Sequence, residues 1–592
     1  MHLNKGEVIE VYPSLLDTLN KDGYTEVGIK DINTCKETGA IDITTENGFF
    51  ENKDGILMKN CSAHSLRAIA MHGLGKFFGF DIRSGPAKHA MTLVGHINTM
   101  LCHISSYYAG ALGLDAVNVY MAPYVHDMSD KEMKQIAQYL IFSLSQTSYA
   151  RSGQTIFTDF NVFITITDWL RKVQAVGPGG KLLEDENGNP ITYEYYEKTA
   201  RKFLRMMLEV WKEGDLSGKP MPFPKADCHI SSNDFVEPEA VELLKYACEV
   251  SSHNGIVYFV FDHDSTALSA CCRLRLQIDK QYLEQPERTR FTGMQNVTTC
   301  LPACAYRSEK DKRKFFSEIR HCMNLAMKAH IQKKAFIEKL GQSKTNPLYL
   351  MITEPYFDGE PYVDPSKATY IFGISGLNEA VKYMTGQELH ESDEAHEYGL
   401  DVITFMYTRL EYYREKYGLK VVLEESPFES GSRRSAKTDV LNYPDAKYYV
   451  QGNLETGDIY YTNSIHFRAD ADVDLVERIT KQSEFHSLIE AGAIIHAFVK
   501  ENMPSPEAIY SLVEKTHKNT DCAQLVISPD FTICSSCSTT SHGLHEECPR
   551  CNNKEVSHMS RVVGYYSNIE NWNKSKQVEH KDRAKGKYYL DK

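Results

Sequence analysis

No run of eighteen apolar residues, the length that a membrane-spanning helix needs, occurs anywhere in the chain. The N-terminus has no basic stretch followed by an apolar one, so we expect no signal peptide and predict a cytoplasmic protein without a membrane partner. The frame G-x-x-x-x-G-K-[ST] is also missing, which excludes the common phosphate-binding loop. Since no internal repeat of about 20 to 50 residues is found, repeat architectures are excluded as well.

Positive charge is in deficit as well: 66 lysines and arginines stand against 79 acidic residues, which gives a formal net charge of −13 at pH 7. Binding to a nucleic-acid backbone requires clustered lysine and arginine, so this balance argues against a nucleic-acid partner. A small phosphorylated ligand is still compatible with it, since such a ligand needs only a local pocket. The 15 cysteines of a chain without an export signal indicate a reducing compartment, where thiols serve metals and catalysis.

Four cysteines stand in two pairs near the end of the chain, Cys534-x-x-Cys537 and Cys548-x-x-Cys551, with ten residues between the pairs. Two such pairs can place four thiolates tetrahedrally around Zn²⁺ or iron. Two disulfides or four free thiols are the alternatives. Because four thiolates complete a closed coordination shell, we expect a structural metal, with zinc as the first candidate.

A glycine follows these pairs in the segment 561–566, which reads R-V-V-G-Y-Y with Gly564 as its glycine. A glycine Cα–H bond is unusually weak, because the radical left behind is shared between the amide nitrogen and the carbonyl. Glycine also lets the backbone approach another group closely. An ordinary turn glycine is the alternative, but the neighbouring cysteine pairs favour a glycine that stores a radical.

The cysteine pairs and this glycine resemble the C-terminal radical domain of anaerobic (class III) ribonucleoside-triphosphate reductases, a family of glycyl radical enzymes. Further similar segments extend from about residue 60 to the end of the chain. They are P-A-K-H at 86–89, C-C-R at 271–273, G-L-N-E-A-V at 376–381, E-E-S-P at 424–427, Y-T-N-S at 461–464 and N-W-N-K-S-K-Q at 571–577.

Strand and helix patterns alternate through the middle of the chain, which indicates an α/β fold. Compact apolar runs predict buried strands at 258–261, 348–352 and 370–374. Helical spacing of apolar residues predicts helices at 90–104, 309–340 and 395–417.

The resemblance sharpens this to a ten-stranded α/β barrel with a central finger loop, plus a small C-terminal metal-binding glycyl radical domain. It divides the chain into a divergent N-terminal segment at 1–60 without a recognisable ATP-cone, a barrel at 61–515 and the radical domain at 516–592. Residues 504–530 are expected to link the last two.

The resemblance also implies roles for single residues. Gly564 would store the radical, and Cys272 of the finger loop would become the thiyl that removes the ribose 3′-hydrogen, with Cys271 as the alternative. Cys61 would supply a hydrogen atom during reduction. Buried structural cysteines are the other interpretation of these thiols. Cys300 stands where the family has asparagine, so an extra thiol there could favour a thioredoxin- or glutaredoxin-type reductant over formate, or mark an altered substrate.

The implied partners are ribonucleoside triphosphate substrates, nucleotide effectors, and an iron–sulfur activating enzyme that cleaves S-adenosylmethionine. A homodimer is implied as well, in which the helix at 90–104 would pair with its partner and frame the allosteric specificity site; an ordinary core helix is the other interpretation, and the two are compatible. We expect no haem, flavin or nicotinamide. The alternatives are a lyase similar to pyruvate formate-lyase, a relative with an altered substrate or no activity, and a zinc-ribbon binding protein.

Groups that hold the substrate are harder to assign from the sequence. The polar segment 462–466 is one candidate, and Arg433, Arg434 and Lys437 are another, since arginine suits bidentate contact with phosphate. An exposed basic loop is the alternative for the second set. Glu425 is either a general base or an exposed carboxylate at the end of a strand.

Overall fold

The computed structural model describes residues 29–34, 41–45, 61–75, 77–147, 155–263, 267–269, 275–277, 280–499 and 503–587. The chain separates into two compact units, 1–57 and 58–592. The described part of the first unit is an antiparallel hairpin. Cys271 and Cys272, the expected thiyl candidates, lie outside the described residues.

The described strands are β1 Ile29–Thr34, β2 Ile41–Thr45, β3 Ser62–His64, β4 Leu112–Leu114, β5 Thr158–Phe163, β6 Val176–Gly177, β7 Lys181–Leu182, β8 Lys225–Ile230, β9 Val257–Phe261, β10 Ala267–Ser269, β11 Arg275–Gln277, β12 Arg290–Cys300, β13 Thr369–Ser375, β14 Lys420–Glu425, β15 Gln451–Asn453, β16 Asp458–Tyr460, β17 Ile495–Val499, β18 Gln524–Pro529, β19 Phe531–Cys534, β20 Thr540–His542, β21 Val556–Arg561 and β22 Tyr566–Asn568.

The described α-helices are α1 Leu66–His72, α2 Ala90–Ile104, α3 Val117–Val125, α4 Asp130–Gln146, α5 Asp168–Arg171, α6 Glu197–Glu213, α7 Pro238–Asn254, α8 Lys280–Glu284, α9 Leu301–Ser308, α10 Lys312–Leu340, α11 Leu348–Thr353, α12 Leu377–Thr385, α13 Asp393–Tyr417, α14 Glu429–Asn442, α15 Leu475–Ser483, α16 Pro506–Asn519 and α17 Lys574–Arg583. Within the described part of the chain, none of them is both long and apolar enough to cross a membrane.

Ten strands form one mixed sheet in the order β14-β13-β12-β3-β4-β5-β8-β9-β18-β17. Strands β3, β4, β5, β8 and β9 run parallel, and they meet the other five antiparallel at β12 and β18. The segment that leads into β17 contacts β14 at the other edge of the sheet, because the Ala491 amide donates to the Leu423 carbonyl at 2.8 Å and the Ile494 amide donates to the Glu425 carboxylate at 2.7 Å. The sheet therefore closes, and the expected ten-stranded α/β barrel is confirmed.

Helices cover the outside of the barrel, so its strands are buried on both faces and appear as nearly continuous apolar runs. The expected strands at 258–261 and 370–374 are confirmed as β9 and β13, both fully buried. The expected helices are confirmed as α2, α10 and α13. The hairpin β10–β11 follows β9, where the finger loop is expected, and approaches β5; the residues of its tip lie outside the described part.

The predicted strand at 348–352 is wrong, because these residues form helix α11. A short apolar run does not distinguish a strand from a buried helical turn by its pattern alone. In α11 the side chains of Leu348 and Met351, three positions apart, are buried, while Tyr349 and Ile352 are half-buried. One face of a helix therefore enters the core.

The interpretation of 504–530 as a linker is also wrong. Helix α16 begins after Ser505, whose side chain accepts a hydrogen bond from the Ala508 amide and caps the helix. Strand β18 follows and pairs with both β9 and β17 inside the barrel sheet. The barrel sheet thus continues to Pro529, beyond the expected division at 515/516. A separate four-stranded sheet, in the order β20-β19-β21-β22, begins directly after it and is followed by α17.

Candidate functional site

The four C-terminal cysteines converge as their spacing predicts. The sulfur atoms of Cys534, Cys537, Cys548 and Cys551 all lie within 4.8 Å of one another, a group that could hold one metal ion. Cys534 ends strand β19, which pairs with β21 so that Cys534 lies opposite Val556. A metal bound to this group would fix the sheet whose strand β21 leads directly to the glycine segment.

Gly564 is buried in the loop after β21. Its carbonyl oxygen accepts a hydrogen bond from the phenol of Tyr258, on barrel strand β9, and a longer one, 3.4 Å, from the Arg561 guanidinium. Arg561 also donates to the Tyr258 oxygen. The glycine that the sequence singled out is therefore attached to the barrel wall by its carbonyl group.

Arg561 is almost completely buried, with 1% of its surface exposed. Its guanidinium donates to the Ser528 hydroxyl at 3.1 Å and to the Gly255 carbonyl, and it lies 4.3 Å from the centre of the Tyr566 ring. A buried cation is stable only when its donors are satisfied. These contacts give a structural reason for the arginine three residues before Gly564.

Helix α17 holds the glycine loop from its other side. Arg583, 4% exposed, donates to the carbonyls of Arg561 and Val562 at 2.9 and 3.0 Å and pairs with Glu579 at 2.8 Å. The Tyr460 phenol donates to the Asp582 carboxylate at 2.8 Å, which joins the helix to strand β16. The segments around 571–577 and 582–583 therefore position the loop.

A buried ionic group lies beneath Tyr258. The Lys225 ammonium is 2.8 Å from the Asp227 carboxylate, 3.4 Å from that of Asp159 and 4.2 Å from the centre of the Tyr258 ring. Burial raises the pKa of Asp159 to about 7. The group places one cation and two acids on strands β5 and β8, next to the residue that contacts Gly564.

Cys61 lies on the wall of the barrel just before β3. Its sulfur accepts a hydrogen bond from the Ala111 amide at 3.2 Å. It belongs to a small apolar cluster of Cys61, Ala63, Ala111, Phe291, Ile371, Val422 and Ala491, against which Phe157 also packs. The Phe157 ring lies 6.0 Å from that of Tyr565, the neighbour of Gly564. The structure thus brings Cys61 and the glycine loop to one connected group of side chains.

A polar group, which we call the strand-end cluster, lies towards the carboxyl ends of strands β12 and β14, which are the parallel neighbours of β13. Its members are Asn296, Thr298, Cys300, Glu424 and Ser426. Asn296 donates to Glu424 and, at 3.3 Å, to Ser426, while the hydroxyls of Thr298 and Ser426 are 3.0 Å apart.

Glycine is required in the middle of this cluster. A Cβ atom at Gly373 would lie 2.0 Å from the Ser426 hydroxyl and 2.4 Å from that of Thr298.

Cys300 ends β12 and precedes the first turn of α9. Its thiol lies 3.7 Å from the Asp439 carboxylate, which also accepts a hydrogen bond from Tyr461 at 2.9 Å. Burial, together with the nearby Asp439, raises the pKa of Cys300 to about 12. Cys300 is therefore a neutral thiol at pH 7.

The segment 462–466 contacts residues that are close in sequence to β13 and β14. The Asn463 side chain accepts from the Phe428 amide at 3.1 Å, and the Ser464 carbonyl accepts from the Leu377 amide at 3.0 Å. His466 pairs with Glu425, which is fully buried. The interpretation of Glu425 as an exposed carboxylate is therefore wrong.

Three helices begin at this end of the barrel: α9 after β12, α12 after β13 and α14 after β14. In the described structure, their N-cap residues Cys300, Gly376 and Phe428 make no side-chain capping bond. Helix N-termini carry partial positive charge and free N–H groups, so this end of the barrel is suited to an anion.

The basic residues at 433–437 belong to helix α14, not to a loop. Arg434 is exposed, whereas Arg433 and Lys437 are half-buried. The Nε atom of Arg433 is buried and has no hydrogen-bond partner among the residues that the structure describes. A half-buried guanidinium with such a free donor can bind an anionic ligand.

Sequence reasoning missed Tyr258 and the Lys225 group. The apolar run at 258–261 predicts a buried strand, but such a run does not reveal which buried side chain contacts a loop far along the chain. The signal that the sequence did contain is polar residues at alternate positions of β8, which reads K-A-D-C-H-I.

Comparisons with known proteins agree with this arrangement. A sequence model of the family described as "Anaerobic ribonucleoside-triphosphate reductase" matches residues 49–585. The anaerobic ribonucleoside-triphosphate reductase of Salmonella typhimurium is 23% identical over 310 residues, which cover 49% of this chain and 42% of that protein. The chain thus spans less than half the length of the curated relatives that it matches.

Solved structures share the fold. The anaerobic ribonucleotide reductase from Thermotoga maritima, in complex with dATP and CTP, aligns with a TM-score of 0.67 at 18% identity, over 87% of this chain and 82% of that one. A second structure described as an anaerobic ribonucleotide reductase gives a TM-score of 0.69 at 18% identity, over 89% and 78% of the two chains.

Proposed function

The chain belongs to the anaerobic ribonucleoside-triphosphate reductase family, and on that premise we propose that it reduces ribonucleoside triphosphates to 2′-deoxyribonucleotides by glycyl and thiyl radical chemistry. The observation that carries the proposal is the buried Gly564, held against the barrel strand β9 by its carbonyl group. A radical stored there would be shielded from solvent and oxygen.

Gly564 is proposed to lose a Cα hydrogen atom and to store the radical. Tyr258 and Arg561 donate hydrogen bonds to its carbonyl, the group over which the unpaired electron spreads. These donors favour the delocalised radical and fix its orientation. Gly564 would then exchange a hydrogen atom with the finger-loop thiol, for which Cys272 is the candidate and Cys271 the alternative.

The thiyl on Cys272 would remove the ribose 3′-hydrogen, and the 2′-hydroxyl would then leave as water after taking up a proton. Cys61 would supply a hydrogen atom to the substrate radical and form a transient disulfide-type radical with its partner thiol. The buried position of Cys61 on the barrel wall, in the cluster that Phe157 joins to the glycine loop, supports this role.

Nucleotide phosphates would bind at the N-termini of α9, α12 and α14, beside the strand-end cluster. The Thermotoga maritima structure with dATP and CTP supports triphosphate ligands for this fold. The proposal also includes a homodimer, in which α2 pairs with its partner, and the binding of nucleotide effectors.

The four-cysteine group would hold a structural Zn²⁺. An activating enzyme with an iron–sulfur cluster would generate the radical on Gly564.

The reductant would be formate or a thioredoxin- or glutaredoxin-type dithiol. The thiol at Cys300, in place of the family's asparagine, supports the dithiol.

The test is an anaerobic assay of deoxynucleotide formation from the four ribonucleoside triphosphates after activation, with the glycyl radical quantified by electron paramagnetic resonance. Formate and a thioredoxin system are supplied in separate reactions, so the supplement that supports turnover identifies the reductant. Gly564→Ala should abolish both the radical and the product. A full radical signal without deoxynucleotide would refute the proposed substrate, and turnover by Gly564→Ala would refute the mechanism.

A further inference from the structure

Two cysteines outside the site described above lie in contact between helices on the outside of the barrel. Cys304 is in α9 and Cys322 is in α10, and their sulfur atoms are 3.6 Å apart. Both are free thiols in the structure. Cys304 is completely buried, whereas Cys322 is half-buried. One thiol is therefore accessible and the other lies directly behind it.

A single arginine serves both sulfur atoms. The Arg307 guanidinium donates to Cys304 at 3.5 Å and to Cys322 at 3.4 Å. Its orientation is fixed by Glu318, which it contacts at 2.7 Å, and by the Tyr443 hydroxyl at 3.4 Å. About a third of the Arg307 side chain is exposed, so its positive charge is also accessible to a molecule that approaches from solvent.

We propose that Cys304 and Cys322 form a redox-active dithiol that exchanges with an external disulfide, with Cys322 as the attacking thiol and Cys304 as the resolving thiol. A contact of 3.6 Å needs a closure of roughly 1.5 Å to reach a disulfide bond of about 2.05 Å. The accessible thiol beside a guanidinium and the buried thiol behind it are the arrangement that such exchange requires.

The exchange consists of two successive substitutions at sulfur, in which atoms and electrons are conserved. The Cys322 thiolate attacks one sulfur of the external disulfide, whose S–S bond breaks and releases the first thiolate. Cys304 then loses its proton and attacks Cys322, which releases the second thiolate and closes the Cys304–Cys322 bond. The external disulfide gains two electrons and the two protons of the cysteines, and the reverse sequence reduces the protein.

The ionisation of the two thiols agrees with these roles. The contact with Cys304, followed by the charges of Arg307 and His321, lowers the pKa of Cys322 to about 6. The same contact and burial hold the pKa of Cys304 well above its usual range. Glu318 and Cys300 are titratable groups packed nearby: the charge of Glu318 opposes the shift of the Cys322 pKa, and Cys300 adds to the upward shift of the Cys304 pKa.

The pair is placed to influence the barrel. Cys304 lies one helical turn from Cys300, which precedes α9 and belongs to the strand-end cluster. The ring of Tyr443, which contacts Arg307, lies 5.4 Å from that of Tyr306 in α9, with the two rings tilted against each other. Closing the disulfide would draw α9 towards α10. The position of Cys300 would then depend on whether the external thiol pool is oxidised or reduced.

The experiment uses the full chain, reduced anaerobically and equilibrated in glutathione buffers of increasing oxidised fraction or with an oxidised thioredoxin. After an acid quench, free thiols are alkylated and peptides are mapped by mass spectrometry. We expect a linked Cys304–Cys322 peptide pair that reverts with dithiothreitol. In Cys304→Ser we expect a mixed disulfide on Cys322 instead. Formation with glutathione alone or only with thioredoxin distinguishes a small-molecule from a protein source.

A second measurement follows the alkylation rate of Cys322 against pH. The rate should rise with a midpoint near pH 6, and Arg307→Gln should move that midpoint up by about one unit. Cys102, a half-buried cysteine of helix α2, serves as the control thiol and should keep its rate in that variant. A chain that yields no linked peptide in any buffer, or an unchanged midpoint in Arg307→Gln, would overturn the proposal.

Discussion

The phenol of Tyr258 donates a hydrogen bond to the carbonyl of Gly564, across a separation of 306 residues in the sequence. Arg561 donates to both partners, so the glycine carbonyl, the phenol and the guanidinium form one closed group. This contact connects the C-terminal loop to barrel strand β9 and gives the buried glycine a defined orientation.

Replacing Tyr258 by phenylalanine should reduce the radical yield. The substitution removes a donor from a buried carbonyl, a loss of about 1 to 3 kcal/mol, which corresponds to a several-fold to hundred-fold lower occupancy of the bound loop. Electron paramagnetic resonance after anaerobic activation measures the effect. Tyr370→Phe is the control, since its phenol is buried as well but donates to the Pro365 carbonyl. Equal radical yields in the two variants would contradict the assigned contact.

Arg583→Ala should loosen the glycine loop. The side chain donates to two loop carbonyls from a buried position, so its loss leaves both carbonyls unsatisfied and Glu579 partly unpaired. We expect a local destabilisation of about 2 to 4 kcal/mol. Hydrogen exchange of residues 561–566 should accelerate accordingly. Lys585→Ala, which removes a more exposed partner of Asp582, should leave that exchange close to wild type.

Metal removal should loosen the glycine loop, because strand β21 of the four-stranded sheet leads directly into it. The four thiolates hold the chain at the end of the β19 and β21 pairing where Cys534 lies opposite Val556, so Cys551→Ser or a strong chelator should free one metal ion per chain and accelerate exchange in both strands. Elemental analysis identifies the ion. Cys102→Ser provides the control with an intact metal group. A Cys551→Ser protein that retains the metal and the slow exchange would argue against the site.

The stability of the barrel should depend on pH because of one buried carboxyl group. Asp115 accepts a hydrogen bond from the Leu66 amide at 2.6 Å, and burial raises the pKa of its carboxyl to about 8. The folded state thus holds this proton more tightly than the unfolded state. The stabilisation is complete below about pH 4 and is lost as the pH rises towards 8, by up to about 1.4 kcal/mol per pH unit.

Asp115→Asn keeps the acceptor for the Leu66 amide and removes the titration. Urea midpoints measured from pH 5.5 to 8 should therefore fall more steeply for the wild type than for this variant. The exposed Asp127→Asn substitution is the control. Parallel curves for Asp115→Asn and wild type would show that the carboxyl is ionised in the folded protein.

Arg433 and Arg434 are neighbours with different environments, which makes them a matched pair. Arg433→Ala removes the half-buried guanidinium whose Nε atom lacks a partner among the described side chains. We expect it to weaken binding of a ribonucleoside triphosphate by at least tenfold, as for the loss of a charge-assisted contact. Arg434→Ala should change the affinity less than twofold. Isothermal titration under anaerobic conditions compares them, and equal affinities would remove Arg433 from the binding site.

The sequence by itself determined the features that depend on local spacing. Two C-x-x-C pairs define the four-thiolate group, and apolar periodicity over many turns defined helices such as α10 and α13. The glycine segment was found in the same way, from residues adjacent in the chain. Local spacing failed at 348–352, where five apolar residues fit a strand and a buried helical turn equally well.

Only the tertiary structure decided which distant residues meet. The contact of Tyr258 with Gly564, the ion pair of Glu425 with His466 and the approach of Cys304 to Cys322 depend on which strands become neighbours and how helices pack. Such contacts follow from burial of the whole core, to which every element contributes, and leave no periodic signal at either residue. The four-cysteine group and the glycine segment are therefore evident in the sequence, whereas their contacts with the barrel required the folded chain.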